Sequence, residues 1–231
     1  MIKLSIIVPA YNEENSIIKI LEKVAKVEIE GVNKEVIVID DCSTDKTLNL
    51  LEKNKNLYDA LIKLPKNSGK GEAVKKGLMK ASGQYVLFQD ADLEYDPKDY
   101  KKLLEPVLLL DADLVIGSRF LASQLTRVYY FWHKVGNKFI TLLFNVLNNT
   151  TFTDIYSCYI IFKADLINPN NLLTSGWEQH AEILSTIVSK SSSFYEVPVN
   201  YYGRTYKEGK KIRPHNAINV LLTIIFKRIF P

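Results

Sequence analysis

The sequence has few cysteines, few histidines and no long apolar run, and each shortage excludes something. Of 231 residues two are cysteines, Cys42 and Cys158, 116 positions apart. That separation offers neither a disulfide framework nor a metal-binding pair, and it reads as two reduced thiols in a cytosolic protein. His133, His180 and His215 share no ligand spacing, so no metal is assigned to them. The longest uncharged stretch, residues 139–153, is fifteen residues and contains three Asn and four Thr, whereas a membrane-spanning helix needs about 20 apolar residues. The apolar run at residues 4–10 is interrupted by Ser5 and Pro9 and leads directly into Tyr11-Asn12-Glu13-Glu14, which is not the shape of a secretory signal. No internal repeat, low-complexity tract or linker divides the chain, so residues 1–231 read as one domain.

Acidic residues are missing from particular places. Residues 114–153 contain none and hold Arg119, Arg127, Lys134 and Lys138, while residues 201–231 hold seven basic residues and one acidic, Glu208. These stretches carry +4 and +6 in a chain of net charge +4, which leaves −6 for the rest. A basic second half beside an acidic first half suggests an anionic partner. The basic segments match no helix-turn-helix, RRM or zinc spacing, so nucleic acid is not the expected partner.

What is present is an ordinary globular composition, 47% hydrophobic and 24% charged with mean hydropathy −0.05. Through residue 117, short β-branched runs (4–8, 36–40, 61–64, 85–89, 114–117) alternate with helical patterns (13–26, 45–54, 71–81 and one opening at Asp96-Pro97). That alternation predicts an α/β fold with a mostly parallel sheet and helices on both faces. Further on, residues 132–147, 178–189 and 214–229 read as helices and residues 155–162 and 194–199 as strands.

In such sheets ligands bind beyond the carboxyl ends of the strands, and the loops expected there carry the chemistry. Asp90 and Asp92 are two apart after a strand and would point the same way. Their repulsion favours a divalent cation between them, or else they form a solvated acidic loop. Asp40 and Asp41 either reach the same crevice or cap the following helix. Gly69, Lys70 and Gly71 precede a helix, where phosphate binds readily, but without P-loop spacing a plain turn fits equally.

Taken in order, Val8-Pro9-Ala10-Tyr11-Asn12-Glu13-Glu14, Asp40-Asp41-Cys42-Ser43-Thr44-Asp45, Asn67-Ser68-Gly69-Lys70-Gly71, Asp90-Ala91-Asp92-Leu93 and Gly117-Ser118-Arg119-Phe120 resemble the successive motifs of family 2 glycosyltransferases. Thr153-Asp154, Cys158-Tyr159, the segment 176–184, Val197-Pro198 and the segment 204–211 extend the likeness, which is strongest to the dolichyl/polyprenyl-phosphate mannosyl and glucosyl transferases. The resemblance implies a GT-A fold with three regions: a nucleotide-sugar half (1–117), an acceptor half (118–213) and a membrane-proximal helix (214–231). It implies a GDP- or UDP-linked sugar held by Pro9, Tyr11, Glu13, Asp40, Asp41, Gly69, Lys70 and Gly71. It also implies Mg2+ or Mn2+ on Asp90, Asp92 and Glu94, and inversion at the anomeric carbon.

A lipid-phosphate acceptor is already ionised and needs cations rather than a base, for which Arg119, Arg204 and Lys210 are the candidates. A saccharide hydroxyl is the alternative acceptor, and for it Glu182 or Glu178 stands where a carboxylate base is kept in related enzymes. A non-catalytic nucleotide-binding module is the remaining reading, against which the intact set Asp40, Asp90, Asp92 and Arg119 speaks. Cys42 departs from the family pattern, where glycine is frequent, and so does Glu94, where glutamine is common. Helices 132–147 and 214–229, with aromatic and basic residues, are expected to lie at a membrane surface. The expectation is therefore a peripheral enzyme on the cytoplasmic face.

Overall fold

On neighbouring strands Ile6, Val8, Val36 and Val38 turn to one side, and Ile7, Ile37 and Ile39 turn to the other. This period of two gives a sheet with two apolar faces, both of which must be covered. The computed structural model describes residues 1–121, 131–204 and 216–230. Its strands are β1 (Ile2–Ala10), β2 (Val32–Asp40), β3 (Ala60–Lys63), β4 (Tyr85–Phe88), β5 (Leu114–Ser118), β6 (Ile160–Lys163) and β7 (Phe194–Pro198). They form one seven-stranded sheet in the order β3-β2-β1-β4-β6-β5-β7.

One face is covered by α1 (Ile17–Lys26), α2 (Thr47–Lys53) and α4 (Tyr100–Leu110), which bury Ile17, Leu21, Leu51, Leu103 and Val107. The other is covered by α3 (Lys70–Lys80), α5 (Phe131–Asn148), α6 (Gln179–Lys190) and α7 (Asn216–Ile229), through Val74, Phe144, Leu184 and Ile224. Helices on both faces of a mostly parallel sheet are what the alternating pattern predicts.

Two local differences have physical causes. The helix expected from residue 13 begins at Ile17, because the Glu13 carbonyl first accepts Ser16 N and Ile17 N in a turn. The strand expected over 155–162 contracts to β6, because the residues before it are engaged elsewhere: Ser157 Oγ donates to the Gly117 carbonyl at 2.5 Å and Asp154 binds Arg119.

The strand β6 also inserts between β4 and β5 and runs antiparallel to both. The carboxyl ends of β1, β2, β4 and β5 therefore share one edge with the beginning of β6. Among the described residues no helix is long and apolar enough to cross a membrane.

Candidate active site

At that shared edge lies a cavity of about 410 Å³. Pro9, Tyr11 and Glu13 reach it from the end of β1, and Asp41 from the end of β2. Asp90, Asp92 and Glu94 follow β4, Arg119 follows β5, and Arg204 follows β7.

Asp90 is paired with Lys70 at the start of α3, Nζ to Oδ1 2.5 Å. Burial alone would raise the carboxyl, but the lysine outweighs it and holds Asp90 below its usual value. The same ammonium lies 3.3 Å from Cys158 Sγ and 5.1 Å from the centroid of the Trp177 ring. Burial, reinforced by Asp90, pushes the Cys158 thiol up to about 12, so it is a neutral thiol. Beneath this cluster the buried Gln89 accepts from Tyr100 and Tyr159 and donates Nε2 to the Asp90 carbonyl at 3.0 Å. A buried amide held by three hydrogen bonds of this kind fixes the loop it touches.

Arg204 gathers the remaining carboxylates. Its Nη2 lies 2.9 Å from Asp92 and 3.2 Å from Glu13, and its backbone N–H donates to Glu94 at 2.6 Å. Glu94 also accepts the Tyr201 hydroxyl at 2.7 Å. Even with Arg204 beside it, Asp92 is pushed up to about 7 by burial and by the charges of Asp90 and Glu94. A divalent cation between Asp90 and Asp92 would relieve that repulsion, and oxygen ligands completed by phosphate and water suit a hard cation. Among the described residues, however, no three His, Cys, Asp or Glu side chains converge on a metal position. The expected third ligand, Glu94, instead anchors the 201–204 segment.

Gly69 and Lys70 line the cavity as expected, whereas Gly71, Asp40, Glu182 and Glu178 do not. Gly71 serves close packing: a Cβ on it would stand 2.5 Å from the Ser175 carbonyl, and Gly69 has φ +92°. Of the backbone there, Ser68 N and Gly69 N donate to Asp41 at 2.7 and 2.9 Å and Glu72 N to the Ser175 carbonyl at 3.2 Å. Asp40 is buried and does not line the cavity; its Oδ2 accepts Ser43 N and its Oδ1 has no partner. Glu182 is not on the cavity either. It is fully buried and accepts from Leu173, Thr174 and Lys227, so it is not placed to act as a base there. Glu178 accepts Gly176 N at 3.1 Å and is also off the cavity wall.

Lys210 lies outside the described residues, as do Arg127, Lys207, Lys211 and Arg213. Conversely, Trp177 and Asn137 line the cavity without having been singled out in the sequence. Trp177 follows Gly176 immediately before a helix, and that position was its one available signal.

A family model described as glycosyl transferase family 2 matches residues 5–168. A dolichol-phosphate mannosyltransferase of Pyrococcus furiosus is 28% identical over 211 residues, covering 90% of this chain and 59% of its own. A dodecaprenyl-phosphate galacturonate synthase of Rhizobium johnstonii is 28% identical over 234 residues, covering 97% of this chain and 67% of its own. The chain thus spans about three-fifths of the length of the Pyrococcus relative. Glucosyl-3-phosphoglycerate synthase from Mycobacterium tuberculosis, solved with Mn2+, UDP and glucosyl-3-phosphoglycerate, superposes with a TM-score of 0.73 at 20% identity, covering 100% of this chain and 81% of the other. At that identity the likeness is one of fold.

Proposed function

The chain belongs to glycosyl transferase family 2, and from that premise we propose that it transfers a hexosyl group from a UDP- or GDP-linked sugar to a polyprenyl phosphate at the cytoplasmic surface of a membrane. One observation supports the phosphate acceptor above the rest. Every described carboxylate on the cavity wall is already engaged: Glu13 by Arg204, Asp41 by Ser68 and Gly69, Asp90 by Lys70, Asp92 by Arg204, and Glu94 by Tyr201. A hydroxyl nucleophile requires a base poised for its proton. A phosphate monoester is anionic at neutral pH, and its attack needs positive charge that brings two anions together. The guanidinium groups of Arg119 and Arg204, with a divalent cation offsetting the carboxylates they pair with, would provide it.

In this reading Pro9, Tyr11 and Glu13 frame the nucleoside, with Asp41 on the same wall. Asp90 and Asp92 would hold Mg2+ or Mn2+, which neutralises charge on the departing diphosphate. Lys70 stands beside the same group. Arg119, fixed by Asp154, orients the acceptor phosphate for in-line attack. The names of the two relatives above, both sugar transferases of polyprenyl phosphates, support the acceptor class.

The membrane part rests on α5 and α7. On α5, His133 and Asn137 face the cavity, while Phe131, Trp132, Phe139, Leu142 and Val146 are exposed, Trp132 by 77%. On α7, Ile218, Leu222, Phe226 and Ile229 are exposed, with Arg228 beside them. Apolar outer faces with flanking basic residues suit the headgroup region of a bilayer. They would present the cavity to a lipid whose phosphate lies at that depth.

The test is incubation with labelled nucleotide-sugars, Mg2+ or Mn2+ and a polyprenyl phosphate, followed by organic extraction. Label should enter the organic phase as an acid-labile sugar phosphate, and Asp92→Asn should abolish this. Label that stays in water or in polysaccharide would overturn the lipid-phosphate reading.

A further inference from the structure

Lys227 of α7 reaches Glu182 of α6, Nζ to Oε1 3.0 Å. Glu182 is fully buried. Its carboxylate also accepts Leu173 N, Thr174 N and Thr174 Oγ1, at 3.0, 2.9 and 2.6 Å. The neighbouring Ser175 gives its carbonyl to Glu72 N on the first turn of α3 and lies so close to Gly71 that no side chain fits between them. Trp177 comes next, with its ring under the Lys70 ammonium, which binds Asp90. Each link is a direct contact between described residues, and the series runs from the C-terminal helix to the cavity.

We infer that Glu182 and Lys227 are positioning residues for the donor end of the cavity. They clamp the 173–177 wall against α3 and, through Trp177 and Lys70, set where Asp90 stands. The inference rests on the donor-site reading proposed above and gives the buried carboxylate of α6 a use other than that of a base. Without the ammonium, Glu182 would keep its backbone donors but carry a buried charge with no counter-ion, an arrangement that relaxes by drawing in water or moving its neighbours. Here the neighbours are the wall itself. Lys227 also rides on the helix whose outer face carries Leu222, Phe226 and Ile229, so whatever α7 rests on is mechanically joined to the nucleotide-sugar end of the site.

The chain has two tryptophans, so Trp132→Phe leaves Trp177 as the sole emitter in the wall. In that background Lys227→Met should shift Trp177 emission to the red, increase its quenching by acrylamide and weaken UDP binding with Mg2+ by about tenfold, which is about 1.4 kcal/mol. Lys227→Arg should recover all three. A merely structural pair would lower the melting temperature and leave the emission and affinity alone. A folded Lys227→Met protein whose emission matches the parent, with UDP affinity within about twofold, would overturn the inference. If the parent binds neither UDP nor GDP, the donor-site reading fails separately, and the ligand-free emission of Trp177 still decides the clamp; if it binds GDP alone, GDP replaces UDP in the comparison. If Lys227→Met does not fold, Lys227→Gln carries the same comparison.

Discussion

Arg119 and Asp154 meet in a bidentate pair: Nε to Oδ2 at 2.7 Å and Nη2 to Oδ1 at 2.7 Å, with the Arg119 backbone N–H adding a third bond at 3.0 Å. Asp154 is fully buried and 11% of the Arg119 side chain is exposed. Asp154 is itself held from behind, because the Glu196 carboxylate accepts Thr153 N and Asp154 N at 2.8 and 3.1 Å. A planar guanidinium fixed on one edge is a rigid platform for an anion on the other.

Removing Asp154 would leave that guanidinium buried without its counter-ion. Asp154→Ala is expected to cost about 3–5 kcal/mol in denaturant unfolding. Asp154→Asn, which keeps an acceptor oxygen, should cost less and should raise the acceptor KM more than the donor KM. Equal effects on both substrates would argue against Arg119 as the acceptor contact.

Glu35 joins β2 to its neighbours by accepting Ser5 Oγ at 2.6 Å and Ser82 N and Oγ at 3.0 and 2.7 Å. Burial pushes its carboxyl up, but these hydrogen bonds, with Lys3 beside them, outweigh it and hold the group at about 2 instead of 4.5. The folded value lies below the unfolded one, so the unfolded chain takes up the proton first as pH falls. The stabilisation is complete above about 4.5 and is lost as pH drops through about 2. Glu35→Gln should therefore be less stable by about 1–3 kcal/mol at neutral pH, with the gap narrowing in unfolding measurements below pH 4.5. A gap independent of pH would refute this account.

Cys42 sits at φ +60°, in the left-handed region, and its thiol lies 3.9 Å from the Pro65 carbonyl. Cys42→Gly removes the Cβ penalty at the cost of a more flexible unfolded chain, for a net gain of about 0.5–1 kcal/mol. An unchanged or lower urea midpoint would contradict it. The same variant isolates Cys158, which, as a neutral thiol facing Lys70, should react with alkylating reagents at neutral pH more slowly in the folded protein than after unfolding.

The outer face of α5 gives a separable prediction. Phe139→Glu combined with Leu142→Glu places charge on exposed positions and should abolish binding to anionic vesicles in co-sedimentation. UDP binding in solution should be unchanged. Retained vesicle binding would remove α5 from the membrane contact.

Much of this architecture was legible in residue patterns. The strands β1, β2 and β4 announce themselves because strands buried on both faces are nearly continuous in apolar residues. The cluster of Asp90, Asp92, Arg119 and Arg204 follows from strand ends meeting at one edge. The direction of β6 was not legible, since Ile160-Ile161-Phe162 reads the same whether paired parallel or antiparallel. Glu182 misled because helical spacing places a residue on a helix without saying whether that face meets solvent, a cavity or another helix. Gly71 misled for a related reason: a glycine that admits a ligand and one that admits Ser175 look identical in sequence.

The reversed course of β6 has an evolutionary corollary. In an all-parallel sheet, new binding loops must be grafted after a strand. Here the segment entering β6 stands on the same rim as the segments leaving β4 and β5, and it already carries Asp154, Tyr156 and Cys158. Exchanges at Tyr156, which lines the cavity, could alter that rim without disturbing the Asp154–Arg119 pair or the parallel strands that carry Pro9 and Asp40.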